Sequence, residues 1–355
     1  MTTRVAIICG GRSSEHEISC TSAGGVLSAI DRTLYDPVVI GITRAGKWVL
    51  IPEGHELSIK SGVLPVVPED GKPVSISPAG FAVDGKSLGI EIVFPVMHGP
   101  YGEDGTIQGL LEIADIPFVG SGVLASAVAM DKTFAKPIFA AHGIKVVEGL
   151  VIRKSEWKSN QESISAEIAT LGYPVFVKPA RGGSSRGTTK VKSAKDLAAA
   201  VEEAHRFDPK AMVESAVIGR EIECAVLEID GKPKASIVGQ IEIDPKFEFY
   251  DFEAKYLDGA TSITLPAPIG DDVTLQIQSS AVDAFIVLGC SGLARVDFFL
   301  TTSGEVIINE LNTMPGFTAT SVFPKMWAAS GVGYKEVITH LLVSALTRNN
   351  GVLGN

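Results

Sequence analysis

The sequence predicts an α/β protein of two or three domains, and three observations carry that prediction. At 355 residues the chain exceeds what a single hydrophobic core usually organises. It begins with a short apolar strand, Val5 to Cys9, that runs through Gly10-Gly11 into a helix from about Ile18 to Ile30, the strand, glycine turn and helix of an open α/β sheet. Near its other end, Ala294 to Ser321 holds two apolar, β-rich runs around a Ser303-Gly304 turn, which read as a hairpin with carboxylates among its apolar residues.

Composition narrows the class. Hydrophobic residues make up 45% of the chain, with a mean hydropathy of +0.26, so an ordered globular protein is expected. Lys and Arg number 31 against 41 Asp and Glu, a net charge of -10 that argues against a broad nucleic-acid surface while leaving room for local phosphate pockets. The run Val5 to Cys9 is too short for a signal peptide and lacks a cleavage pattern, and no apolar run approaches the ~20 residues of a spanning helix. Cys9, Cys20, Cys224 and Cys290 have no ligand spacing, which predicts four core residues in a reduced, cytoplasmic protein.

The elements follow in order. The first glycine turn lacks the GxGxxG fingerprint, so no dinucleotide is indicated. Glu15 either caps the following helix or faces a ligand beyond the strand's carboxyl end. Asp36 to Thr43 is a second strand and Gly46 to Leu50 a hairpin return, followed by a Pro- and Gly-rich excursion over Glu53 to Lys86. GFAVDGKS at 80–87 matches the P-loop pattern formally, but Asp84-Gly85 is a hairpin signal and the following residues read as a strand, so that reading is rejected. A glycine-rich loop, Val96 to Gly105, ends the next strand, and His98 is either structural or a ligand contact.

Thr106 to Ala114 and Ser126 to Ala141 are read as helices, the second carrying Asp131-Lys132. A smaller mixed region follows, with a helix over Glu162 to Leu171 and a strand over Pro174 to Lys178. Lys178 ends an otherwise apolar strand, where its amine requires an anionic partner. Pro179 to Thr188, PARGGSSRGT, is either an ordinary hairpin loop or a phosphate cradle of backbone N–H groups and hydroxyls. Asp196 to Ala204 is a helix, and strands are expected over Ala211 to Glu214, Glu221 to Leu227 and Pro233 to Ile241. Asp244 to Pro266 mixes aromatics, charges and glycine like a lid; helices over Asp271 to Leu288 and Lys335 to Leu346 bracket the hairpin.

Within the hairpin, alternation places Arg295, Asp297 and Phe299 on one face, and Glu310 with Asn312 on a face of the second strand. Asp297, Glu310 and Asn312 are either solvated edge residues or a hard-oxygen set suited to Mg²⁺ carrying phosphate. Met314-Pro315-Gly316 turns the chain just beyond, where Gly316 can bring its N–H close to a ligand.

Six stretches in order, GGRSSEHEIS (10–19), HGPYGEDG (98–105), KPARGGSS (178–185), YDFEAKY (250–256), ARVDF (294–298) and NELNTMPG (309–316), resemble the D-alanine–D-alanine ligases of the ATP-grasp superfamily over nearly the whole chain. The resemblance implies an N-terminal open α/β substrate domain (1–125), a smaller α+β nucleotide-clasping domain (126–219) and a C-terminal α/β catalytic domain (220–355). It implies that ATP phosphorylates one D-alanine carboxylate and that the amine of a second D-alanine displaces phosphate, for peptidoglycan precursor synthesis. On this likeness Lys132 and Lys178 contact phosphates, Ser184 and Ser185 belong to the loop over them, Glu214 and Val217 meet adenine and Glu221 the ribose. Asp297, Glu310 and Asn312 hold two Mg²⁺ or Mn²⁺ ions, while Arg295 and the Gly316 N–H form the oxyanion site.

The resemblance further implies that Glu15 orients the first D-alanine through a bridge to Ser184 and Tyr256, and that His98 sits by the substrates. Ser321 grips the second carboxylate with Lys255, a residue also grouped with the nucleotide contacts. A homodimer, with neither nucleic acid nor membrane as partner, completes the expectation. Ligases making D-alanyl-D-lactate or D-alanyl-D-serine are the nearest rivals, and Tyr256 opposes the lactate reading. Arg186 departs from the small apolar residue of many relatives, and Ser215-Ala216 replaces a lysine and tryptophan that some carry beside adenine.

Overall fold

The computed structural model describes residues 2–243 and 261–348, and they build three sheets. In the first, β1 (Thr3–Gly10) lies between β2 (Tyr35–Ile42) and β7 (Ile92–Pro95), parallel to both. Val5 to Cys9 are inaccessible to solvent, because layers cover both faces of these strands; hence their unbroken apolar sequence. Beyond β2 the sheet turns antiparallel through β3 (Trp48–Leu50), β4 (Lys72–Ser77), β5 (Gly80–Val83) and β6 (Lys86–Ser87). Asp84 (φ 50°) and Gly85 (φ 75°) form the tight turn between the last two strands, so the formal P-loop match is a hairpin. Helices α1 (His16–Ala29) and α2 (Thr106–Ile113) complete this unit.

The second sheet, in the order β10-β9-β11-β8, contains β8 (Gly149–Arg153), β9 (Val175–Pro179), β10 (Thr189–Val191) and β11 (Lys210–Ser215). Helices α5 (Lys154–Ala169) and α6 (Ala194–Phe207) enclose a separate core around Trp157, Val175, Val177, Leu197 and Val213. The first of them starts before the expected Glu162 and is kinked at Asn160, whose backbone is not helical (φ -131°, ψ 29°). Here two helical pieces merge, and apolar periodicity marks only the second.

The third sheet, in the order β14-β13-β12-β15-β16, contains β12 (Gly219–Ile229), β13 (Lys232–Ile243), β14 (Thr261–Thr264), β15 (Leu293–Thr301) and β16 (Val306–Asn312). One face packs Ile222, Val296 and Phe298 against α7 (Asp271–Val287) and against α3 (Val123–Met130) and α4 (Lys132–Ala141). The single helix expected from Ser126 to Ala141 is two helices, because Asp131 is extended (φ -95°, ψ 95°) and its carboxylate accepts a bond from the Thr133 N–H at 3.1 Å, capping the second. By packing, both helices join the third sheet.

On the other face, Ala225, Leu227 and Leu293 share one core with β1, β7, α1, α8 (Val322–Ala329) and α9 (Tyr334–Thr347). Phe317 stands at its centre, with ring centroids 5.5 Å from Phe94, 5.8 Å from Phe323 and 5.6 Å from Tyr334. The first and third sheets are thus joined by a continuous apolar interior, while the second has its own. All four cysteines are buried and unbridged, as expected. Among the described residues no helix is long and apolar enough to cross a membrane.

Gly24 shows how tightly α1 is seated: a Cβ there would press into the backbone carbonyl of Leu57. Alanine would favour the helix by about 1 kcal/mol over glycine, but overpacking costs about 1–3 kcal/mol, and a backbone obstacle cannot rotate away. Gly24→Ala is therefore expected to lower the urea midpoint of unfolding; an unchanged or raised midpoint would show that the loop at Leu57 yields freely.

Candidate active site

The site is built on the hairpin of β15 and β16. Asp297 pairs with Glu310 and Arg295 with Asn312, whereas the next pair toward the turn is Phe298 with Ile308. Asn309 is the extra residue of a bulge. Without it Glu310 would point to the opposite side from Asp297; with it, both acids share one face and Phe298 and Ile308 enter the core. Arg295 chelates Asp297, with Nε to Oδ1 and Nη2 to Oδ2 both 2.7 Å, and its Nε lies 3.1 Å from Glu223 Oε2. Asn312 donates to Asp297 Oδ2 at 3.1 Å. Lys132, at the start of α4, sits 3.0 Å from Glu310 Oε2 and donates to the Gly182 carbonyl at 2.9 Å.

Among the described residues no three His, Cys, Asp or Glu side chains gather as a metal centre. The available donors are two carboxylates and the Asn312 amide, all hard oxygen groups. They fit a small oxygen-seeking cation that completes its shell with ligand or water oxygens.

A cleft of about 690 Å³ opens between the second and third sheets. Lys132, Lys178, Ser185, Glu214, Val217, Glu221, Asp297 and Glu310 all line it. Lys178 reaches Asn309 Oδ1 at 3.4 Å and forms an ion pair with one oxygen of Glu214, whose other oxygen pairs with Lys136. Burial pushes the Glu214 carboxyl up, but Lys136 and Lys178 outweigh it and hold the group below its ordinary pKa. Burial likewise lowers Lys136, to about 8, against the pull of Glu214.

The loop from Pro179 to Thr188 joins β9 to its antiparallel neighbour β10, so it is a hairpin loop whose tip faces the cleft. Ser184 and Ser185 take left-handed backbone angles (φ 50° and 54°), and Ser184 donates its hydroxyl to Glu15. Glu15 precedes α1 without capping it through its side chain. Its carboxylate is buried against Gly99 and Gly183; a Cβ at Gly183 would come within 2.9 Å of Oε2. The expected link between Glu15 and Ser184 is therefore present. Tyr256 and Lys255 lie outside the described residues.

His98 has both ring nitrogens engaged, Nδ1 with the Met314 carbonyl at 2.9 Å and Nε2 with Ser22 Oγ at 2.9 Å, while the Phe317 N–H donates to that hydroxyl at 3.3 Å. This chain is consistent when His98 is neutral with its proton on Nδ1. Glu103 accepts from the Gly99 N–H at 2.7 Å and the Met314 N–H at 3.1 Å, so both backbone groups of Met314 are held by the N-terminal unit. Burial, reinforced by Glu15, pushes Glu103 up to about 8. Beyond this anchored turn Gly316 lies against Ser321, whose Oγ accepts from the Thr318 N–H at 3.0 Å.

The structure thus brings those expected residues that it describes into two adjoining groups, with Asp297, Glu310, Asn312 and Arg295 at their junction. Sequence reasoning passed over Lys136 and Glu103. Lys136 carried a signal, one helical turn from Lys132 on a largely apolar helix; Glu103 lay inside the HGPYGEDG stretch without a partner in view.

The His98 chain generates a pH prediction. Burial first, and Arg295 with it, holds the imidazole below its ordinary 6.5 against the opposing influence of Glu15 and Met314. A depressed folded pKa contributes stability that is whole above the unfolded value and is lost as pH falls from there through the folded value. Wild type should therefore lose more of its urea midpoint between about pH 7.5 and about pH 5.5 than His98→Asn, which cannot titrate. Equal losses would contradict a neutral, buried His98.

Two family profiles match the chain: that described as D-ala D-ala ligase N-terminus over residues 4–121, and D-ala D-ala ligase C-terminus over residues 138–343. The D-alanine–D-alanine ligase of Kineococcus radiotolerans is 48% identical, over 98% of each chain. Among solved structures, the D-alanine-D-alanine ligase from Coxiella burnetii superposes with a TM-score of 0.84 at 35% identity, covering 97% of this chain and 94% of that one. The VanG D-Ala:D-Ser ligase from Enterococcus faecalis gives 0.85 at 37% identity, covering 97% and 100%. With matching profiles at both ends, full-length relatives and solved structures that superpose over nearly the whole chain, the chain belongs to the D-alanine–D-alanine ligase family of ATP-grasp enzymes.

Proposed function

We propose that the protein joins two D-alanine molecules into D-alanyl-D-alanine at the expense of ATP, releasing ADP and phosphate through a D-alanyl phosphate intermediate, for peptidoglycan precursor synthesis. The observation that carries this reading is the junction at Asp297 and Glu310, where a lysine-lined cleft meets the Glu15–Ser184 contact. Lys132 and Lys178 place positive charge where phosphates would lie, with Val217 and Glu221 further along the same cleft for base and sugar. Asp297, Glu310 and Asn312 would hold Mg²⁺ or Mn²⁺, two ions by the family likeness; when bound, the metal supplies charge neutralisation at the phosphate oxygens.

The protein's own groups account for the remaining tasks. Glu15 is aimed to receive the ammonium of the first D-alanine, and its contact with Ser184 couples that to the loop over the cleft. Arg295, oriented by Asp297 and Glu223, and the Gly316 N–H would meet negative charge developing at the former carboxylate. Ser321, with Lys255, would hold the second carboxylate, and Tyr256 would join Glu15 and Ser184 in closing the site against water. His98 acts in this reading by fixing the turn before Gly316 through the Met314 carbonyl. A cytoplasmic homodimer is part of the proposal, supported by the family likeness and by four unbridged cysteines.

Purified protein with ATP, Mg²⁺ and D-alanine should release ADP, phosphate and the dipeptide, and L-alanine should fail. D-Serine and D-lactate, added as competing acceptors, should give minor products. ATP breakdown without dipeptide in mass spectra would sink the reading, and D-alanyl-D-serine as the dominant product would move it to the activity named for the Enterococcus faecalis relative.

Glu310→Gln keeps the side-chain volume but removes a charge beside Lys132 and the metal donors. Turnover should fall by roughly 10²-fold or more while the fold persists, with a lowered melting temperature because Lys132 loses its charged partner. Near-wild-type turnover at saturating Mg²⁺ would remove Glu310 from the metal set.

A further inference from the structure

Lys136 is a buried cation that the proposed reaction leaves unused. It stands one turn after Lys132 on the same face of α4. Lys132 reaches the cleft; Lys136, only 2% exposed, stops behind Glu214 and, among the described residues, is not part of the cleft lining. Glu214 is itself 3% exposed and divides its two oxygens between Lys136 and Lys178. Of the two lysines, only Lys178 faces the cleft.

We propose that Lys136 is a positioning residue for nucleotide binding: it neutralises Glu214 from behind, so that Lys178 can present its charge to the phosphates. The proposal rests on the reading that the cleft holds ATP. Two ammonium groups and one carboxylate leave one net positive charge in this cluster, and Lys178 is its only cation open to the cleft. Without Lys136 the buried carboxylate would have, among the described residues, Lys178 as its one lysine partner, forming a neutral pair that draws the ammonium inward, since Coulomb attraction strengthens as water is excluded. Burying excess positive charge is unfavourable; burial first, and then Lys178 and Lys132, lower the proton affinity of Lys136 against the pull of Glu214. An arrangement chosen for stability alone would match one carboxylate with one lysine.

The test measures binding of Mg²⁺-ADP by calorimetry to the full-length protein, with thermal melting as the check on folding. K136M should weaken binding by about tenfold or more, the scale of one hydrogen bond to a charged group. K136Q, which keeps a donor toward Glu214 without the charge, should show the same loss, and K136R should bind within about threefold of wild type. The KM for D-alanine at saturating ATP should stay near wild type in all folded variants, which general damage to the site would not allow. Wild-type ADP affinity in K136M or K136Q, or an ADP affinity in folded K136R as weak as that of K136Q, overturns the proposal. Failure of wild type itself to bind ADP overturns the nucleotide reading, and the role of Lys136 with it.

Discussion

The ion pairs between Lys132 and Glu310 and between Arg295 and Asp297 are the contacts on which the rest of the site depends. Their side chains are only 10–18% exposed, so each acid has lost most of its water and has a cation directly against it. The two solutions differ in reach. Arg295 is two residues from Asp297 on the same strand and fixes its orientation locally through a fork of two bonds. Lys132 comes from the first turn of α4 and brings the loop at Gly182 to the end of β16. One local and one long-range pair therefore align the cleft-facing edge of the second sheet with the acids of the third.

The N-terminal unit meets this frame through polar contacts as well as its apolar core. Met314 offers its carbonyl to His98 and its N–H to Glu103, while Ser184 crosses from the second sheet to Glu15. The first of these ties belongs to two sheets that share a continuous interior around Phe317. The second joins units with separate cores, and its partner Ser184 sits on a loop with few apolar contacts. Rigid support on one side and a lighter contact on the other suit a site that must admit substrate and then exclude water.

How far the sequence reveals this depends on the kind of information involved. The hairpin was legible because apolar alternation and a Ser-Gly turn are local signals, and the rejected P-loop match fell to local turn chemistry in the same way. The bulge at Asn309 was not legible: one extra residue decides whether Glu310 faces Asp297 or the core, and strand alternation does not determine which residue will be left unpaired. The break at Asp131 was hidden by an apolar run that continued through it, although Asp followed two residues later by Thr is a cap in retrospect. The Glu214 cluster joins residues 136, 178 and 214, three elements whose meeting only the folded chain discloses. Most of the specific roles came from ordered family motifs, including those of Lys255 and Tyr256, which lie outside the described residues.

The central claim is that the lysine-lined cleft and the Glu15 side form one site in which a phosphoryl group passes to a substrate carboxylate. Turnover of D-alanine labelled with oxygen-18 in its carboxylate tests that transfer directly, because the bond broken when the second amine attacks leaves a carboxylate oxygen on phosphate. Mass analysis should find one labelled oxygen in each inorganic phosphate released with a dipeptide. Unlabelled phosphate accompanying dipeptide formation would contradict carboxylate activation and separate ATP cleavage from the bond being made.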